Sequence, residues 1–156
     1  MTRFQNFIAA IALTVPAIAA AAPEAPASLE LAFTGIESQQ GMIMVAIFAS
    51  EDAYTGKGAP AKVTGVPATA ASVKAMVDGL PAGRYAAKIF HDIDGDGQMG
   101  VNPFGMPTEP FAFSNDAKGE MGPASWAAAA FEVKADRKST RLNSSHSTLS
   151  RMPSSA

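Results

Sequence analysis

The chain has 156 residues, 47% of them hydrophobic, with no cysteine and a formal net charge of −2. The missing cysteine excludes disulfides, thiolate nucleophiles and sulfur-based zinc sites, so stability rests on packing. Two histidines are present, and only His91 lies outside the C-terminal tail, so histidine-rich zinc sites and most catalytic triads lack parts.

Both ends differ in character from what lies between them. Arg3 precedes an apolar, alanine-rich run from Phe7 to Ala22 and then the proline-rich PEAPA. Residues 1–22 are expected to be a secretory signal peptide, cleaved after Ala19 or Ala21, and the run falls short of the roughly 20 apolar residues of a membrane span. Residues 23–28 are expected as a flexible lead-in. No membrane span is expected after signal removal, and the expected location is the periplasm or the exterior. At the other end, residues 136–156 read DRKSTRLNSSHSTLSRMPSSA, with no apolar period. They are expected as a disordered tail, and the string resembles the translation of a common sequencing adapter.

Residues 29–135 remain as a single domain. Over residues 23–135, seven Lys and Arg face thirteen Asp and Glu, a net charge of −6. An acidic domain without a basic patch argues against nucleic acid and against anionic membrane surfaces.

LELAFTG, from Leu29, alternates Leu29, Leu31 and Phe33 with Glu30, Ala32 and Thr34, the pattern of a half-buried strand. MIMVAIFA, Met42 to Ala49, is apolar on both faces and is expected as a central strand with Met42 and Met44 as core filler. Ser50 to Gly65 is a long loop with a short strand near Lys62 to Val66. Ala70 to Val77 alternates weakly as a strand, and Asp78-Gly79 predicts a turn.

Leu80-Pro81-Ala82-Gly83-Arg84-Tyr85 predicts a turn into a strand whose tyrosine hydroxyl lies near the corner. It resembles the tyrosine corner of immunoglobulin-like sandwiches and the LPxGxY turn of prealbumin-like and Cna-B-type domains. The strand that follows turns Tyr85, Ala87 and Ile89 inward and Arg84, Ala86 and Lys88 outward. A brief strand is expected at Phe111 to Ser114 and a final one at Trp126 to Val133, where four alanines also permit a helical turn. About seven short strands predict an all-β, immunoglobulin-like or prealbumin-like antiparallel β-sandwich.

The stretch HDIDGDG sets Asp92, Asp94 and Asp96 at alternate positions before Gly97. Measured against a twelve-residue calcium loop, these occupy positions one, three, five and six, and Gln98 offers a backbone carbonyl at seven. Pro103 stands at twelve and brings no carboxylate, so a complete Ca2+ site would need Glu109 or Asp116 to fold back, or water. The competing reading is a tight turn that simply uses Asp and Gly.

The runs LPAGRYAAKIFHD, the acidic loop, FGMPTEPFAFSN and GPASWAAAAF occur in an order that resembles an exported bacterial family, domain of unknown function 2141. The resemblance implies a small exported all-β domain without established activity. That family commonly carries asparagines in the loop and an Asp near its end, where this chain has Asp94, Asp96 and Gly100.

The leading expectation is an exported binding or structural module for an envelope or extracellular partner, stabilised by Ca2+ through Asp92, Asp94, Asp96 and Gln98. One alternative is a hydrolase using His91 with the loop carboxylates and with Ser114 or Asn115 as partners. A lone histidine at a strand end is more commonly bonded to a neighbouring loop. Another alternative is a carbohydrate- or peptide-binding domain using Phe104, Phe111, Phe113 and Trp126, against which stands ordinary packing of those rings.

Overall fold

The computed structural model describes residues 27–119 and 122–134, and the backbone course of residues 140–148. The expected signal peptide, residues 23–26 of the lead-in and residues 136–139 and 149–156 of the tail lie outside the described residues.

Among the described residues, eight strands form two sheets: β1 (Ala27–Thr34), β2 (Met42–Phe48), β3 (Lys62–Pro67), β4 (Ser72–Leu80), β5 (Gly83–Asp92), β6 (Phe111–Phe113), β7 (Phe131–Val133) and β8 (Thr140–Thr148). One sheet runs β4-β1-β8. The other runs β3-β2-β5-β6, with β7 also on β5. Pairing is antiparallel except between β1 and β8. The fold is an all-β sandwich, as expected.

The alternation read in LELAFTG is borne out. Leu29, Leu31 and Phe33 are buried, and β1 begins at Ala27, two residues earlier than expected. They meet Ala75, Val77 and Leu80 of β4, Ile43, Val45 and Ile47 of β2, Tyr85, Ala87 and Ile89 of β5, and Phe131 and Val133 of β7 in one core. β2 lies between β3 and β5, as its apolar character requires.

Four expectations need correction. Met42 and Met44 face away from the core, and Met42 is exposed. Asp78 and Gly79 make no turn. They lie within β4 opposite a register shift, where Gly79 has φ +80°, and burial changes phase from Val77 to Leu80 instead of Gly79. This is a bulge, and glycine is the residue that adopts its left-handed conformation without strain. Trp126 to Val133 divides into a helical turn α1 (Trp126–Ala129), capped by the Ser125 hydroxyl accepting from the Ala128 amide, and the short β7. Finally, Thr140–Thr148, expected without regular structure, runs parallel to the edge of β1 that β4 leaves open. An open edge of amides and carbonyls pairs with any extended backbone, which apolar periodicity does not report.

The outer face of the β2-β5 sheet carries a second apolar cluster of Phe48, Tyr54, Ala86, Phe113, Ala124 and Ala129, with Trp126 and Phe111 packed against it. It is covered by a helical turn at Ala53–Lys57 and by the segment holding α1. β5 is therefore buried on both faces, and its two ends are held firmly.

Candidate functional site

β5 delivers His91 and Asp92 to one end of the sandwich. Successive strand residues point to opposite faces, so the pair divides: His91 enters the core side and Asp92 the outer side, both almost fully buried. Beyond Asp92 the chain coils through Gly95 (φ +79°) and Gly97 (φ +76°). A Cβ at either would meet nothing, so the left-handed backbone alone calls for glycine there.

That coil turns amides back onto carboxylates. Asp92 accepts from the Gly95 amide through Oδ1 (2.8 Å) and from the Gly97 amide through Oδ2 (3.0 Å). Asp94 Oδ1 accepts from the Asp96 amide (3.2 Å), and Asp96 Oδ1 from the Gln98 amide (2.7 Å). One carboxylate oxygen from each of Asp92, Asp94 and Asp96 lies within 4.8 Å of the others. Asp94, Asp96 and Gln98 are exposed. The ion pairs among the described residues, Lys57 to Asp52 and Lys74 to Glu30, leave the loop aspartates uncompensated.

Glu109 folds back onto this loop. Its buried carboxylate accepts from the Ile93 amide through Oε1 and from the Gly100 amide through Oε2, each at 2.9 Å. It ties the two ends of the coil together, and its bonds are to backbone amides. Gly100 permits the approach: a Cβ there would come within 2.6 Å of the Thr108 hydroxyl. The carboxylate that the sequence lacks at position 100 thus arrives through space from Glu109. Asp116 does not come near. It follows β6 at the end remote from the loop, in a left-handed conformation (φ +52°), with Oδ1 buried and unbonded.

The turn before β2 completes the floor. Gly41 (φ +70°) lies so close to the Asp92 carbonyl that a Cβ would be 1.9 Å from its oxygen. His91 Nε2 lies 2.7 Å from the Gln40 carbonyl oxygen. A carbonyl only accepts, so Nε2 carries the proton. His91 therefore has the strand-end bond to a neighbouring loop that its position suggests. Ser114 and Asn115 are not its partners. Ser114 Oγ accepts from the Ala87 amide and donates to the Ala129 carbonyl, and Asn115 Nδ2 donates to the Ala130 carbonyl.

The four aromatic residues considered as a ligand surface separate. Phe111 and Phe113 stack edge to face, Trp126 meets the edge of Tyr54, and all three belong to the outer cluster. Phe104 stands apart and is 87% exposed. Under the cluster, Lys88 Nζ donates to the Tyr54 carbonyl and lies over the Tyr54 ring, 4.6 Å from its centre. Burial holds its ammonium below the usual lysine range. The same surroundings push the Tyr54 hydroxyl up to about 12.

No helix among the described residues is long and apolar enough to cross a membrane. The family model described as "Uncharacterized protein conserved in bacteria (DUF2141)" matches residues 31–141. No match is found among curated proteins or among solved structures.

Proposed function

The chain belongs to the DUF2141 family, and from that premise we propose that it is an exported β-sandwich module that works by binding or bracing an envelope or extracellular partner, with Ca2+ held in the Asp92 to Gln98 loop. The observation that carries the reading is the convergence of three aspartate oxygens within 4.8 Å. Calcium takes oxygen ligands at 2.3–2.6 Å, so atoms sharing its shell stand at most about 5 Å apart, and the three oxygens meet that limit. Asp92, Asp94 and Asp96 would hold the ion through carboxylates and Gln98 through its carbonyl. The ion would offset the mutual repulsion of the three charges. Export is supported by Arg3 and the apolar run from Phe7 to Ala22.

Thermal unfolding in EDTA and in millimolar calcium tests the ion. At a hundredfold excess over Kd the midpoint should rise by on the order of 10 °C. Asp94→Ala should abolish the rise. A wild-type midpoint indifferent to calcium would leave the loop a turn and nothing more. The export half is checked separately, by the N-terminus of protein recovered from the periplasm or medium. A start at residue 20 or 22 is expected, and a retained Met1 would refute it.

A further inference from the structure

We propose that the hairpin between Val101 and Pro107 is a docking tip for a zwitterionic lipid surface, with Phe104 as its anchor. Val101 is 60%, Phe104 87% and Met106 43% exposed within six residues of chain, and Phe104 is the one ring among the exposed large hydrophobic side chains of the described residues. This exposure is built, not loose. Val101 bridges Pro107, the Asn102 amide donates to the Met106 carbonyl (2.8 Å), and the Gly105 amide donates to the Asn102 carbonyl (2.9 Å). The Asn102 side chain accepts from the amides of both Phe104 (2.9 Å) and Met106 (3.0 Å). Gly105 turns at φ +78° with no atom near its missing Cβ. Four hydrogen bonds thus hold the hairpin that carries an aromatic ring into water.

The shape and charge of the tip select the occupant. A small-molecule site is concave, whereas this feature projects. A stable protein interface takes about 800 Å2 from each partner, and an aromatic side chain supplies roughly 150–250 Å2, so three apolar side chains fall short of a second copy or a globular partner. A bilayer interface takes up apolar side chains in proportion to the area they bury, with no minimum patch, so a small uncharged tip docks weakly and reversibly. No charged residue stands between Asp96 and Glu109, although the domain is acidic. Exposed Asp94 and Asp96 at the base of the tip repel anionic headgroups, which leaves phosphatidylcholine and phosphatidylethanolamine as the matching chemistry. With no ion bound the two carboxylates keep this repulsion, so the docking is tested without calcium.

The absence of cysteine allows a local test. Met106→Cys, labelled with an environment-sensitive dye, is mixed with phosphatidylcholine–phosphatidylethanolamine vesicles in EDTA, so that calcium plays no part. The dye emission should shift to the blue, and the same dye at Met76→Cys, on the outer face of β4, should not respond. Adding Phe104→Ser to the Met106→Cys protein should weaken the titration about tenfold or more. Circular dichroism should be unchanged, because the Phe104 side chain is almost wholly exposed. No shift at position 106, an equal shift at position 76, or an undiminished response with Phe104→Ser would overturn the proposal. So would concentration-dependent self-association removed by Phe104→Ser without any vesicle response, which would assign the tip to a second copy.

Discussion

Strand β5 is closed at its two ends by opposite chemistry. At its start Tyr85 Oη donates to the Pro81 carbonyl at 2.9 Å, with its ring over Gly83 and tilted against Phe131 at 6.5 Å. At its end two buried carboxylates, Asp92 and Glu109, gather four backbone amides. The tyrosine corner is neutral, apolar and complete in itself. The acidic end fixes its backbone with full charges and leaves two more, Asp94 and Asp96, facing water. A corner of the first kind only holds a fold together. A corner of the second kind holds the fold and concentrates charge where a cation has access, and so it is the end to examine for function.

The largest effect should come from Glu109→Ala. It removes both charge-assisted bonds and leaves the Ile93 and Gly100 amides without their partners. Each such bond contributes about 1.5–3 kcal/mol, so the loss should be about 3–5 kcal/mol, a large part of the stability of a domain this size. Glu109→Gln should recover little, since its amide group would present hydrogens to one of two amide donors. Chemical denaturation measures both. A loss below 1 kcal/mol for each would mean that the coil holds itself and that Glu109 is incidental.

At the other end, Tyr85→Phe should cost about 1 kcal/mol, the net worth of a neutral hydrogen bond with packing retained. It should also alter the alkaline limb of stability. Burial raises the Tyr85 hydroxyl above its ordinary 10 and pushes Tyr54 up to about 12. The folded protein therefore keeps protons above pH 10 that the unfolded chain releases. Their contribution is whole below pH 10 and is lost as pH climbs toward the folded values. Lys88 acts with the opposite sign: its lowered value means that the unfolded chain binds the extra proton, so its contribution grows with pH up to about 10.5. Wild type should thus lose stability steadily between pH 10 and 12, less steeply in Tyr85→Phe and least in Tyr54→Phe, whose hydroxyl bond to the Ala124 carbonyl is the more buried. Identical slopes in all three would remove the tyrosines from the account.

The neutral corner is the more legible of the two in the sequence. Pro81, Gly83 and Tyr85 act within five residues, and local spacing carries a local bond. The three aspartates are legible for the same reason, since each bonds an amide two to five positions on. Glu109 is different. It stands as a candidate ligand sixteen residues from Ile93, and only the course of the hairpin between them shows that its oxygens are committed to the amides of Ile93 and Gly100. The outer cluster is illegible because Ala86 and Lys88 alternate as solvent-facing residues should, and what covers them comes from Tyr54 and Trp126, far along the chain. The Asp78-Gly79 pair misleads because a bulge and a turn ask for the same two residue types.

The smallest effect in EDTA belongs to Asp94→Asn, and it divides the acidic end most cleanly. The substituted amide side chain would keep an acceptor for the Asp96 amide, so the coil should survive. Removing one of three neighbouring negative charges relieves repulsion, and the side chain is exposed, so stability in EDTA should stay within about 0.5 kcal/mol of wild type or rise slightly. In calcium the order should invert, because only the wild-type loop has its full charge for the ion. Glu109→Ala should depress stability in both media. An Asp94→Asn protein that loses stability equally in both would show that Asp94 serves the turn, like Asp92, and that the exposed charges of this corner have no use distinct from its buried ones.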